Sequence, residues 1–197
     1  MNWEVYSDKL VTYDPRSPDF ITVNTLFTKG ECEVIRGLHT TLPFKKSQLS
    51  WGLNKDQKRD TDLYWIQSTE DSLWIFERVL NAIAHINRTH FNYILDGRIS
   101  AFQLGRYSRN QGYDWHLDLG PNQASRRKLS LSIELSPESD YEGGELQFFR
   151  NGIQAIRSRQ SLGNMTVFPS WMLHQVTKIT RGERWSLVNW IEGPPFK

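Results

Sequence analysis

The chain offers few groups that could anchor it by covalent bridges or in a lipid bilayer. It has one cysteine, Cys32, in 197 residues, so no intrachain disulfide can form. That fits a reducing compartment. No apolar run approaches the length needed to span a bilayer. Met1-Asn2-Trp3-Glu4-Val5 has no basic region followed by an apolar run, so no secretory signal is expected and the expected location is the cytoplasm. The formal net charge is only +2, too small to argue for nucleic acid. There is no internal repeat, low-complexity segment or convincing linker, which points to one domain over residues 1–197. What is plentiful is aromatic: 13% of residues, including 8 Trp, which suits a β-rich core of large side chains.

The first half reads as support. Phe20-Ile21-Thr22-Val23 is strand-like and follows the turn formers Asp14-Pro15-Arg16-Ser17-Pro18. Thr28-Lys29-Gly30-Glu31 has the capping-box pattern, and Cys32, Ile35, Leu38 and Leu42 follow at helical spacing. Cys32 on that stripe reads as core, not as a nucleophile. Residues 43–60, with Lys45-Lys46 and Lys55-Asp56-Gln57-Lys58-Arg59-Asp60, read as a solvated loop; the sharper alternative is a loop facing substrate. Asp62 to Gln67 reads as a strand. A long amphipathic helix is expected over about 71–88, with Leu73, Phe76, Leu80, Ile83 and Asn87 on one face and Val79 and Ile86 beside it. His39, His85 and His90 have no ligand partner at helical spacing and read as structural or exposed.

From about Arg98 the pattern becomes short strands. Lys128 to Leu135 alternates strictly: Leu129, Leu131, Ile133 and Leu135 to one side, Lys128, Ser130, Ser132 and Glu134 to the other. Gly143-Gly144 precedes a strand at Glu145 to Phe149, and Met165 to Phe168 and Trp185 to Ile191 complete the set. Helices followed by many short strands with Gly and Pro turns suggest a mainly β fold with supporting α-helices, a double-sheet barrel. Residues 1–97 would supply helical support and outer strands, and 98–193 the core.

Within that core, His116 and Asp118 lie two apart. In a strand such residues share a face, and Leu117 would turn into the wall. His174 follows 56 residues after Asp118, far enough to cross the barrel and return. Two histidines and one carboxylate on one side of a metal leave its other positions open, which suits non-haem Fe(II) oxygenases. Arg184 lies ten residues after His174, across the turn Thr180-Arg181-Gly182-Glu183, and could enter the same cavity. A buried guanidinium needs an anion, and a dicarboxylate would supply one. Tyr107 and Tyr113 precede His116 and could donate to a bound carboxylate.

These stretches resemble a known family. Tyr107-Ser-Arg-Asn-Gln-Gly112-Tyr113-Asp-Trp-His116-Leu-Asp118 resembles the iron-binding segment of the prolyl 4-hydroxylase branch of the Fe(II)/2-oxoglutarate oxygenases. Tyr141-Glu142-Gly143-Gly144-Glu145-Leu146 resembles the segment between its metal motifs, and Phe168-Pro169-Ser170 through His174 to Arg184 is similar to its closing segment. The resemblance implies a double-stranded β-helix, the jelly roll of cupin-like proteins. It implies His116, Asp118 and His174 as catalytic iron ligands and 2-oxoglutarate as a co-substrate gripped by Arg184 with help from Tyr107. It also implies O2 as oxidant, succinate and CO2 as products, and ascorbate as an accessory reductant. Many collagen-type members carry lysine where Arg184 stands, which argues against a collagen-like substrate.

The substrate expectation is therefore a hydroxylase of a prolyl or other residue in a protein or peptide. A hydroxylase of a free small molecule and a catalytically silent jelly-roll binding module are the alternatives. The intact set of His116, Asp118, His174 and Arg184 argues against the silent module. A zinc hydrolase lacks an evident general base beside the motif. Arg106, Arg109, Arg126, Arg127 and Lys128 form either a solvated loop or a basic rim. Nucleic acid ranks low as a partner, because the nucleic-acid demethylase branch arranges its arginines differently. Trp115 and Trp171 would either stack on a substrate ring or simply pack.

Overall fold

The computed structural model describes residues 11–12, 19–49, 59–150, 154–157 and 161–196. Its elements in chain order begin β1 (Val11–Thr12), β2 (Ile21–Val23), α1 (Lys29–Gly37), β3 (Lys45–Leu49), β4 (Arg59–Ile66) and α2 (Leu73–Ile86). The second half adds β5 (Phe102–Tyr107), β6 (Gly112–His116), β7 (Arg127–Glu134), β8 (Tyr141–Gly143), β9 (Leu146–Arg150) and β10 (Gln154–Arg157). It closes with β11 (Met165–Pro169), β12 (His174–Val176), β13 (Ile179–Gly182) and β14 (Arg184–Glu192).

Twelve strands form one antiparallel sheet in the order β1-β2-β11-β7-β14-β5-β4-β6-β12-β9-β10, with β3 beside β4. The sheet is curled. β4 pairs with β5 through Asp62–Ile66 but passes to β6 at Arg59 and Asp60. Side chains from β7, β11 and β14 consequently line the same pocket as side chains from β9 and β12. This is the expected jelly roll, with β8 and β13 as a separate small ribbon.

The two faces of the large sheet have different jobs. On one, Leu104, Leu129, Leu131, Ile133 and Leu187 join Ile35, Ile75, Val79 and Ile83 of the helices in the main core. The other face lines the barrel, and it is buried as well: Ser130 and Glu134 are 0% and 3% exposed. The alternation read from β7 is therefore correct, but its polar side faces an interior and not solvent. A strand buried on both faces can carry polar residues only where they find partners or a ligand.

Helix α1 begins as expected. Thr28 caps it, accepting from the Glu31 amide while the Glu31 carboxylate accepts from the Thr28 amide. That reciprocal cap stabilises the helix by about 1 kcal/mol. Cys32 and Ile35 are fully buried, but the helix stops at Gly37, so Leu38 and Leu42 pack from beyond its end. Helix α2 starts at Leu73, and its buried face is Ile75, Phe76, Val79, Ala82, Ile83 and Ile86. Leu73 is 44% exposed, because at the first turn it points away from the sheet. The solvated loop expected over 43–60 is partly a hairpin: Lys45–Leu49 pairs with Arg59–Leu63, and residues 50–58 lie outside those described. No helix of the described residues is long and apolar enough to cross a membrane.

Burial pushes the Cys32 thiol up to about 11. The folded protein should therefore resist iodoacetamide near pH 8, while one adduct forms in guanidinium, as read by intact mass. Rapid labelling of the native protein would contradict this packing.

Candidate metal centre and pocket

His116 is the last residue of β6 and His174 the first of β12, and the two are direct partners across the antiparallel ladder. Directly paired residues project to the same face with close Cβ atoms. The imidazoles accordingly meet, with ring centroids 4.1 Å apart. Each ring is fixed from behind: Nδ1 of His116 lies 2.7 Å from the Asp114 carbonyl, and Nδ1 of His174 lies 2.9 Å from the Met172 carbonyl. A carbonyl can only accept, so each Nδ1 carries the proton and each Nε2 presents a lone pair inward.

Asp118 does not share a strand with His116, since β6 ends at His116. It is placed instead by the backbone of the β11–β12 connection, where the Asp118 and Leu119 amides both donate to the Ser170 carbonyl at 3.1 and 2.8 Å. Leu117, expected in the wall, is 50% exposed because the chain turns outward there. The Asp118 oxygens lie 3.7 Å from His116 Nε2 and 3.5 Å from His174 Nε2. All three side chains are buried, and one ligand atom from each falls within 4.8 Å of the others. Burial, reinforced by the neighbouring imidazole, pushes His116 down to about 3. Burial alone would raise the Asp118 carboxyl, but the two imidazoles hold it below the usual carboxylate range. Two imidazole Nε2 atoms and a carboxylate converging in a buried site form the donor set a divalent metal takes, so these residues fit Fe(II). His39, His85 and His90 take no part in this cluster.

The cluster opens into a pocket whose walls include Arg59, Tyr107, Tyr113, Phe168, Arg184 and Trp190. Arg184 enters it as expected and is 1% exposed. It already has an anion, because its Nε donates to Glu134 Oε2 at 2.8 Å. Burial alone would lower the guanidinium, but Glu134 holds it charged. Burial and Glu134 together push the Tyr141 phenol well above its usual range. Arg184 Nη1 is buried with no hydrogen-bond partner. Tyr107 pairs with Arg184 across the β5–β14 ladder, and its ring lies 5.7 Å from the Arg184 Cζ. Tyr113 stacks flat on His116, with centroids 3.4 Å apart. The Trp190 indole N–H approaches Asp118 but falls short of hydrogen-bond geometry.

The basic rim is largely paired off. Arg106 meets Asp62 and Glu183, and Arg126 meets Asp96 and Glu192. Arg127 lies over Trp190 with its Cζ 3.7 Å from the ring, and Lys128 sits on Phe196. Only Arg109 is plainly exposed among these five. Trp115 packs edgewise on Phe149, while Trp171 is 48% exposed and donates to the Tyr93 hydroxyl.

Two residues escape the sequence reading: Glu134, which holds Arg184, and Arg59, which lines the pocket. Alternation puts Glu134 on the polar side of β7 without marking that side as inward, although a carboxylate among serines opposite an arginine strand is a usable signal. Arg59 is hidden in a charged run that looks solvated. It is 7% exposed.

Residues 102–192 match the model of the 2OG-Fe(II) oxygenase superfamily. A PKHD-type hydroxylase of Alteromonas mediterranea is 28% identical over 87% of this chain and 77% of its own length. A PKHD-type hydroxylase of Synechococcus is 35% identical over 48% of this chain and 43% of its own length, so the chain spans less than half of that relative. Among solved structures, a Trichoplax adhaerens prolyl hydroxylase in complex with a hypoxia-inducible-factor peptide fragment matches with TM-score 0.72 and 19% identity, over 90% of this chain and 84% of its own. A Pseudomonas putida prolyl-4-hydroxylase matches with TM-score 0.70 and 16% identity, over 89% and 93%.

Titration with Mn(II) followed by electron paramagnetic resonance should find one site per chain. His174→Ala should weaken it about 100-fold or more, since a lost ligand costs at least as much as a lost orienting partner. Unchanged affinity in that variant would break the assignment.

Proposed function

We propose that the chain belongs to the 2OG-Fe(II) oxygenase superfamily, on its prolyl 4-hydroxylase-like branch, and that it is a hydroxylase acting on a prolyl or other residue of a protein or peptide. The observation that carries the reading is the meeting of His116, Asp118 and His174 at a pocket whose far wall holds a buried arginine with an unpaired nitrogen. Peptide substrates are supported by the solved neighbours, one of which holds a peptide fragment. Residues 98–193 would be the catalytic jelly roll, braced by residues 1–97.

Bound Fe(II), with 2-oxoglutarate and O2, supplies the oxidising power for C–H hydroxylation, and the keto acid leaves as succinate and CO2. The chain's own part is placement. His116 and His174 offer Nε2 lone pairs, and the Asp114 and Met172 carbonyls stop the rings from rotating. Asp118 contributes the negative charge, with its backbone tied to Ser170. Arg184 would receive the distal carboxylate of the co-substrate on Nη1, which no protein acceptor satisfies. Glu134 fixes the other edge of that guanidinium, so the arginine is aimed before the ligand arrives. Phe168 edge-packs on His174 and helps exclude water from the ring. The alternative of a small-molecule substrate gains support from Arg59, which is buried in the pocket wall with no acceptor for its Nε among the described residues.

Protein purified without oxygen, reloaded with Fe(II) and exposed to O2 should convert 2-oxoglutarate to succinate slowly. Zinc-loaded protein and His174→Ala should not. Absence of both turnover and 2-oxoglutarate binding would overturn the proposal in favour of a silent binding module. Separately, Arg184→Met should weaken 2-oxoglutarate binding to the Mn(II) protein by roughly 10- to 100-fold, the worth of a charge-assisted bond in a dry site. Calorimetry would read this, and an unchanged constant would remove Arg184 from the co-substrate site.

A further inference from the structure

Arg59 is the feature of the pocket to which the oxygenase chemistry gives no task. It is the first residue of β4 and lies at the seam where that strand passes from β5 to β6. Its Nη2 donates to Gln103 Oε1 at 2.9 Å. Gln103 is the ladder partner of Trp65, six residues further along β4. The guanidinium must therefore run along the inside of the barrel to reach it, and it does not turn to solvent. Arg59 Cζ stands 5.1 Å from the Tyr113 ring centroid, and the Tyr113 ring is stacked on the metal-facing His116.

A buried cation at this position requires compensation. Gln103 is neutral. Among the described residues no carboxylate forms an ion pair with Arg59, whereas Arg184 has Glu134. Arg59 Nε is buried with no hydrogen-bond partner among the described residues. Arg184 meets Glu134 at 2.8 Å, whereas Arg59 lines the pocket without an equivalent acceptor among the described residues, so the fixed donor, not a surplus of charge, defines the ligand group it would take.

We propose that Arg59, held by Gln103, receives a carboxylate of the substrate, so that the reacting molecule carries an acid group a few atoms from the carbon that is hydroxylated. A free or N-acylated amino acid, or a chain-terminal residue, has that group. A prolyl residue inside a long peptide does not. This deepens the oxygenase reading and rests on it. It makes Arg59 a specificity residue with Gln103 as its positioning partner. The carboxylate and the guanidinium form a charge-assisted pair in a dry site, where loss of one partner is costly.

The test compares each of the twenty N-acetyl amino acids with its N-acetyl amide on zinc-loaded protein, with and without 2-oxoglutarate, by calorimetry. At least one acid is expected to bind at least tenfold tighter than its amide. That preference should fall to about one in Arg59→Gln and in part return in Arg59→Lys. Gln103→Leu, which keeps the charge but removes its anchor, should lower the preference by a smaller factor. A ratio of acid to amide binding is insensitive to general loosening of the fold, and thermal unfolding of each variant checks that it folds. The proposal is overturned if no acid is preferred by the wild type, or if the preference survives in Arg59→Gln. It is equally overturned if Arg59→Gln weakens 2-oxoglutarate tenfold while acid preference stands, since Arg59 would then serve the co-substrate. Failure of the oxygenase reading would look different: no 2-oxoglutarate binding at all, whatever the acid preference.

Discussion

The centre depends on one backbone pairing, that of His116 with His174 across β6 and β12. Antiparallel register leaves no freedom here: two residues opposite one another on a ladder must present side chains together. Residues 58 positions apart in sequence thereby become neighbours without any side-chain contact having to choose them. The carbonyls of Asp114 and Met172, each two residues before its histidine, then set both tautomers. A slip of register by one residue would turn one imidazole to the outer face and dismantle the site. Asp118 depends on the same region, because its backbone is bonded to Ser170 in the connection that leads into β12.

The second constraint is that β7 and β14 are buried on both faces. Their apolar side chains, such as Leu129, Leu131 and Leu187, meet the helices, and their other face encloses the pocket. A polar barrel interior would be destabilising if left unpaired. The chain pairs part of it, through Glu134 and Arg184. Among the described residues it leaves donors without acceptors on Arg184 Nη1 and Arg59 Nε, where the proposed ligands would bind. An interior short of acceptors and rich in donors is complementary to carboxylates. Binding affinity for an acidic ligand and instability of the empty barrel are thus the same set of unsatisfied groups, seen in two states.

Much of this is legible in the sequence because it is periodic or local. The capping box at Thr28 and Glu31, the alternation in Lys128 to Leu135, and the spacing of His116, Asp118, His174 and Arg184 all belong to single segments or simple intervals. What is not legible depends on closure of the sheet. Period-2 alternation says that Glu134 and Ile133 project to opposite faces of β7, but not that the Glu134 face is itself an interior. The charged run ending in Arg59-Asp60 has the composition of a solvated loop, and only the curl of β4 onto β6 turns Arg59 inward. Leu117 departs from its expected place for a related reason: alternation does not continue past the end of β6. The basic cluster Arg126-Arg127-Lys128 looks like a rim because its partners Asp96, Trp190 and Phe196 are distant in sequence.

On the proposed function, one metal held by His116, Asp118 and His174 and one keto acid aimed by Arg184 share this pocket. Anaerobic addition of 2-oxoglutarate to the Fe(II)-loaded protein tests it most directly, because a keto acid chelating ferrous iron absorbs visible light and either component alone does not. A visible band should appear, saturate at one equivalent per chain and require Arg184 for saturation at low concentration. A protein that binds iron stoichiometrically yet develops no band at saturating 2-oxoglutarate would contradict it.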